Sequence, residues 1–536
     1  MKETNCAVET VEELKESPAP APRTRGRKST TLKTTDRQAT DTVATEAAPT
    51  TTSKGSGGAQ ATEHAAIDES QGGESQHTES TDAKEPDHHP LDEIARKFLF
   101  RTEDMAQAYV IACDAAVSEL EKRRSEHKKQ IDPFIVESNE KTFRIKFPED
   151  IRESVELVDA LRKYDRLVES KVISVIQRSL FIGIFSEFDA FIGEFLKTIF
   201  IKKPDLLNSI SRGITLSELI RFGSVDAAKD HILEKEVESI RRESYGEQFS
   251  IMENRFKINT LKKFDEWPMF IEMTQRRNLM THNDGAVSDQ YLTVCRDHGV
   301  KFNDPPPKIG KKLRIMPRYF FTTCTVLSVV AFMLTHTLWR KILPEEIAQA
   351  TDALTNSIYD LLQHERWGLA ARLGEFSLTN EMRKSAKEID VRIRVINLAI
   401  AYKECKSTEK LEELLGSYDW SATPRDFKLA QAVLRDDFEG ALAAMRAIGK
   451  VGDMVTQAVY HDWPLFNSFR ERKDFRDAYK EIYGCDFEPT RSDEPLAATI
   501  QQLLDTTVGG QEDPAEEQPV IQVERSAQNQ AGTKLH

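Results

Sequence analysis

Residues 172–200 read VISVIQRSLFIGIFSEFDAFIGEFLKTIF, with Phe181, Phe185, Phe188, Phe191 and Phe195 recurring every three or four positions. That spacing marks one face of an α-helix. The other faces are nearly as apolar, which predicts a helix enclosed within a bundle. The whole run from 150 to 203 reads as helix. Upstream, Leu91, Ile94, Ala95 and Phe98 keep helical spacing, and after Thr102 a second stripe passes through Met105, Tyr109, Ala112, Ala116 and Leu120. Between Pro133 and Pro148 the pattern alternates, most clearly over Thr142-Phe143-Arg144-Ile145-Lys146-Phe147, and Ser138-Asn139 supplies a turn. One β-hairpin is therefore expected in an otherwise all-α chain.

Downstream, more helices are expected around residues 215–241. A further helix opens near Asp265 and Pro268 and ends at Asn283-Asp284-Gly285, where glycine suits the left-handed C-terminal conformation. Residues 319–335 carry no formal charge and are mostly apolar. The run is shorter than the ~20 residues of a membrane span and contains Thr322, Thr323, Thr325, Ser328 and Thr335. A buried bundle helix, with no membrane, is the expectation. From 350 onward the helices shorten. Three stretches look like helix, polar turn, helix: LLQHERWGLAARL from Leu361, AYKECKSTEKLEELL from Ala401 and AVLRDDFEGALAAM from Ala432. Their turns recur every ~30 to 40 residues, the period of tetratricopeptide-type hairpins. The unit at 432–442 is the clearest copy, and a plain helical domain would give much the same pattern.

The chain has 536 residues, enough for two or three domains. Its 74 basic and 88 acidic residues give a formal charge of -14, which at first speaks against a nucleic-acid partner. Counted by segment, the balance changes. Residues 1–89 hold 10 basic and 16 acidic residues, residues 489–536 hold 3 and 8, and neither segment contains an aromatic. These polar tails cannot bury enough apolar surface to offset the entropy of ordering, so both are expected to be disordered. The segment between them carries only -3. The resulting division is a polar tail at 1–89, a helical arm with a hairpin at 90–149, a helical bundle at 150–345, a hairpin-repeat-like domain at 350–488 and an acidic tail at 489–536. The opening MKETNCAVETVEELKESPAP lacks the basic-then-apolar order of a secretory leader. Six cysteines scattered without C-x-x-C pairing fit a reducing compartment, so a cytoplasmic location is expected.

The helix at 267–283 carries the chemistry. Its apolar stripe runs Trp267, Phe270, Ile271, Met273 and Thr274, and the next positions on that stripe are Arg277 and Asn278, followed by Met280, Thr281 and His282. Burying an unpaired charge and amide there would cost several kcal/mol, so both need partners or a polar cleft. Arg277 and His282 stand about 140° apart around the helix and about 7.5 Å apart along it. His282 lies in the last turn, where the helix dipole favours a cation. An isolated Arg-x4-His says little, because about one match is expected by chance in a chain of this length. The surroundings say more. No acidic residue occurs from Pro305 to Pro344, while Lys308, Lys311, Lys312, Arg314, Arg318, Arg340 and Lys341 are all basic, a charge pattern that attracts a phosphate backbone.

The string Arg276-Arg277-Asn278-Leu279-Met280-Thr281-His282-Asn283-Asp284-Gly285, then a short helix at 287–292, the segment Ile309-Gly310-Lys311-Lys312-Leu313-Arg314-Ile315 and a last apolar helix, resembles the HEPN superfamily. More narrowly, it resembles the stand-alone RNase-type members of microbial defence and toxin systems. The resemblance spans residues 150–345, with the phenylalanine-rich helix similar to the family's long core helix. It implies an endoribonuclease that needs no cofactor or metal, in which the RNA 2'-hydroxyl attacks the adjacent phosphorus and leaves a cyclic phosphate. Such a reaction needs a base, an acid and a cation for the crowded phosphorane. The resemblance further implies a homodimer that supplies two copies of each group: His282 for proton transfer, Arg277 for phosphate, Asn278 in support. Arg276, Lys308, Lys311, Lys312, Arg314 and Arg318 are the candidate RNA contacts. The alternative is a non-catalytic dimeric adaptor whose C-terminal helices bind a protein partner. Cys295-x-x-His298 lacks the second ligand pair of a zinc site. Arg25-Gly26-Arg27-Lys28 reads as a basic patch in a polar tail, and no phosphate-loop or metalloprotease motif occurs.

Overall fold

A computed structural model of the chain describes residues 88–138, 143–209, 213–302, 305–384 and 386–489. Apart from residues 88, 89 and 489, the tails expected to be disordered lie outside the described residues, as do the basic patch at 25–28 and the tip of the hairpin. The fold is all-α with a single two-stranded hairpin among the described residues.

Helix α1 (Pro90–Ile131) is one continuous rod of 42 residues, where the sequence suggests two helices divided at Thr102. Thr102 does not cap anything. It is buried, donates to the Leu99 carbonyl at 2.7 Å and meets the Ser328 hydroxyl at 3.1 Å, so its polar group is satisfied inside the helix pair. The rod starts on Pro90 in its first turn, with the His89 imidazole accepting the Leu91 N–H. Strands β1 (Ile135–Ser138) and β2 (Phe143–Ile145) pair antiparallel with Ile135 opposite Ile145.

The expected helix over 150–203 is two helices, α2 (Ile151–Val168) and α3 (Val172–Lys202). The division follows their different surroundings. The narrow stripe Leu157, Ala160 and Leu161 of α2 packs against Ile131 and Ile145 in a small separate core. By contrast, α3 buries Phe181, Phe185, Phe188, Phe191 and Phe195 almost completely in the main core. The helices expected over 215–241 are α4 (Leu216–Phe222) and α5 (Val225–Arg242). Gly223 stands between them at φ 74, and Ser224 caps α5 through the Ala227 N–H. Next comes α6 (Tyr245–Phe256), a helix outside those expected from periodicity. It buries Tyr245, Phe249, Met252 and Phe256.

Helix α7 (Trp267–His282) ends where expected, and α8 (Asp289–Asp297) starts two residues later than Val287 because Ser288 caps it through the Tyr291 N–H. Helix α9 (Pro317–Ile342) extends beyond the charge-free run, by two residues at its start and seven at its end. It is the one helix among the described residues long and apolar enough to cross a membrane, and most of it is buried inside the protein. Around α3 lie α1, α5, α7 and α9.

The C-terminal helices are α10 (Ile347–Gln363), α11 (Trp367–Ser377), α12 (Asn380–Arg383), α13 (Glu388–Glu404), α14 (Thr408–Gly416), α15 (Arg425–Leu434), α16 (Phe438–Ile448), α17 (Gln457–Asp462), α18 (Asn467–Arg470) and α19 (Lys473–Tyr483). Three of the turns are built alike. Glu365, Lys406 and Asp436 each take a left-handed conformation, at φ 57, 56 and 57. The following residue donates back to Leu361, Tyr402 or Ala432 at 2.8, 2.8 and 2.9 Å. This is the Schellman closure, made here without glycine. The α10–α11, α13–α14 and α15–α16 hairpins thus repeat one unit. Helix α9 packs against α1, α3 and α7 and also against α10 and α11, and one apolar core runs continuously from Leu91 to Phe487.

Candidate active site

The two residues that interrupt the apolar stripe of α7 are partnered. Arg277 donates from Nη1 to the Asn278 side-chain oxygen at 3.1 Å and places Nη2 3.5 Å from the Asp189 carboxylate on α3. Its side chain is 26% exposed and that of Asp189 22%, so the pair sits at the rim of the bundle. The Asp189 carboxylate also accepts the Tyr245 hydroxyl at 2.7 Å. Burial, and then the Asp189 charge, push the Tyr245 phenol far above its ordinary pKa, so it stays a donor. Four residues from three helices thereby form one chain: Tyr245, Asp189, Arg277, Asn278.

His282 stands apart from this chain. It is exposed in the last turn of α7, and its side chain makes no hydrogen bond or ion pair with the described residues. Beyond it the backbone reverses, with the Asn283 and Gly285 N–H groups both returning to the Leu279 carbonyl at 2.9 and 3.0 Å. Gly285 adopts φ 74, as the sequence requires of it.

The cationic segment lies directly beside this reversal. Val287 donates to the Lys311 carbonyl at 3.0 Å and Gly310 donates to the Val287 carbonyl at 2.9 Å. Ala286 and Lys312 form an antiparallel bridge. Lys308, Lys311, Lys312 and Arg314 are exposed, and Arg318 is half-buried in the first turn of α9. Asp284 binds Lys312 on one carboxylate oxygen and Arg178 of α3, at 2.8 Å, on the other. The structure therefore brings His282 and the lysines 308, 311 and 312 to one end of the bundle.

Arg276 is placed differently from the other candidate RNA contacts. Its Nε donates to Glu272 at 2.8 Å, its guanidinium stacks 3.9 Å from the Tyr319 ring centre, and its side chain is 13% exposed. The same Glu272 carboxylate accepts Tyr291 and Tyr319 hydroxyls, each at 2.6 Å. Burial alone would favour neutral Arg276, but Tyr319 and Glu272 outweigh it and move its pKa up. The guanidinium is committed to the interior, apart from a long 3.5 Å contact to the Arg314 carbonyl.

Sequence reasoning missed Asp189, Tyr245 and Asp284. The available signal was Asp189 itself, an acid set between Phe188 and Phe191 on the most apolar face in the chain. Cys295 and His298 do not converge: Cys295 is buried beside Leu279, Val287 and Tyr291, and burial pushes its thiol up to about 12, while His298 accepts the Trp267 indole N–H at 3.3 Å.

No family model matches this chain, and no curated protein or solved structure matches it either.

Proposed function

We propose that the protein is a metal-independent endoribonuclease of the HEPN type that cleaves RNA by 2'-hydroxyl attack in a composite site formed by a homodimer. The observation that supports this reading is the fastening of the cationic segment to residues 285–287, just beyond the α7 end that carries the exposed His282. His282 transfers the proton, Arg277 holds the phosphate and Asn278 supports the guanidinium, while Lys308, Lys311, Lys312, Arg314 and Arg318 track the RNA backbone. The setting proposed is cytoplasmic defence or toxin-like growth arrest, with the C-terminal hairpins receiving a protein partner.

A second reading is a non-catalytic dimeric adaptor. It draws on the Arg277–Asp189 pair and on the enclosure of Arg276, both of which a structural role would also explain. Cleavage of single-stranded RNA in chelator-treated buffer separates the two. The nuclease reading expects cutting with cyclic phosphate ends, reduced ~100-fold or more in His282→Ala and comparably in Arg277→Ala. Wild type as inert as both variants sinks it and leaves the adaptor.

A further inference from the structure

Arginine has five N–H donors. In Arg277 the Nε donor is buried without a partner, one Nη1 donor goes to Asn278 and one Nη2 donor faces Asp189. One N–H remains on each terminal nitrogen, the number that a bidentate grip on one phosphate uses. Asn278 on α7 holds one side of the guanidinium, and the other side is held from outside that helix. The outside partner is the Asp189 carboxylate, which reaches it from α3. The carboxylate is held in turn from a third helix, because the Tyr245 hydroxyl of α6 occupies its other oxygen at 2.7 Å. The Tyr245 ring cannot drift, packed as it is against Phe185, Phe188 and Phe270. At 3.5 Å from Arg277 the carboxylate is also farther away than the ~2.8 Å of a tight charge-assisted bond. It orients the fork without consuming its capacity for an incoming anion.

Resting on the nuclease reading above, we propose that Asp189 and Tyr245 are positioning residues of the site: Tyr245 fixes the Asp189 carboxylate, and Asp189 aims Arg277 at the phosphate being transferred. Neither touches RNA. Their action passes entirely through the Arg277 guanidinium, so the Phe-rich core of α3 sets the geometry of a group at the end of α7.

The test is steady-state cleavage of an oligoribonucleotide by the full-length protein, comparing wild type, Asp189→Asn, Asp189→Glu, Tyr245→Phe, Arg277→Ala and the Asp189→Asn/Arg277→Ala pair. Asp189→Asn keeps the shape and removes the charge. It should lower kcat about 10- to 100-fold, the scale of a misplaced catalytic group, with KM changed less than about threefold. Asp189→Glu should recover part of the loss, and Asp189→Asn should slow Arg277→Ala no further, since its effect runs through that arginine. Tyr245→Phe keeps the ring in the core and should show a smaller loss of the same kind. It also serves as the independent variant if Asp189→Asn fails to fold. An active wild type with Asp189→Asn and Tyr245→Phe at full kcat overturns the positioning role alone. A multiplicative slowing in the Arg277→Ala background also overturns it. A wild type as inert as Arg277→Ala overturns the nuclease reading, and the positioning role falls with it.

Discussion

The backbone N–H of Leu313 donates to the Gly285 carbonyl at 2.9 Å, so the cationic segment is bonded to the turn three residues beyond the end of the motif helix. The two cannot move independently. Gly285 is the position on which this depends, since it holds φ 74 and a Cβ there would lie 3.0 Å from the Leu313 oxygen and 3.2 Å from the Met280 sulfur. Gly285→Ala should lower stability by roughly 1–3 kcal/mol from left-handed strain plus overpacking. It should also weaken RNA binding as the segment is displaced. Urea unfolding reads the first effect and filter binding the second; an unchanged midpoint would contradict the close fit.

Lys308 and Lys311 are exposed and stand on the segment that flanks His282. Replacing either by alanine should weaken RNA binding by a similar factor for every sequence tested. Each lost phosphate contact should also reduce the slope of log affinity against log salt by about 0.7 for single strands. A slope identical to wild type in the double variant would place the RNA path elsewhere.

The acidic tails at 1–89 and 489–536 hold most of the net negative charge. If they repel RNA, their removal should tighten binding at low salt and make no difference near 1 M, where charges are screened beyond about 3 Å. Equal affinity at low salt would count against the repulsion.

His336 on α9 is fully buried beside Arg340 and Arg394. Burial first, and then the two arginines, lower its pKa to about 3; the Ala350 carbonyl offsets this only in part, since neither ring nitrogen makes a well-formed hydrogen bond. The unfolded chain takes up a proton near pH 6.5 that the folded chain refuses. Stability contributed by neutral His336 is therefore complete above pH 6.5 and lost as pH falls toward 3, by about 2 kcal/mol between pH 7 and 5. Unfolding midpoints measured across that range should be flatter in His336→Phe, whatever that variant does to stability at neutral pH.

The repeated turns invite opposite substitutions. Glu365 is exposed and left-handed, so Glu365→Gly should raise stability by about 1 kcal/mol. Gly374 sits where α11 meets α13, and a Cβ would fall 2.9 Å from the Leu398 Cδ1 and 3.1 Å from its Cβ, so Gly374→Ala should cost about 1–3 kcal/mol. Thermal or urea unfolding of the two variants checks both signs.

Periodicity made α3, α7 and α9 legible in the sequence, because each buries a continuous stripe and a stripe is a local property. It failed where a local signal had two physical causes. Thr102 reads equally as a cap or as a hydroxyl satisfied within the helix, and only the Ser328 contact across to α9 decides between them. The need for partners at Arg277 and Asn278 was legible from the cost of burying them. The identity of the partner was not, since Asp189 is 88 positions earlier in the chain and spacing carries no information about that distance. Arg276 was half legible: Glu272 stands four residues before it on the same helix, a local pairing signal, but nothing local marks Tyr291 and Tyr319 as the others that enclose it.

Helix α9 begins three residues after Arg314 and packs against α1, α3 and α7 of the bundle as well as against α10 and α11. Close-packed helices resist compression, so a rod about 39 Å long in that setting behaves as a stiff shaft rather than a spring. Any ligand of the C-terminal hairpins that shifts α10 or α11 must either leave α9 still or carry it, and with it the strand of lysines rooted at its first turn. In the second case load on one end of the protein would become displacement at the other, and by linkage RNA bound there would bias the hairpins in return.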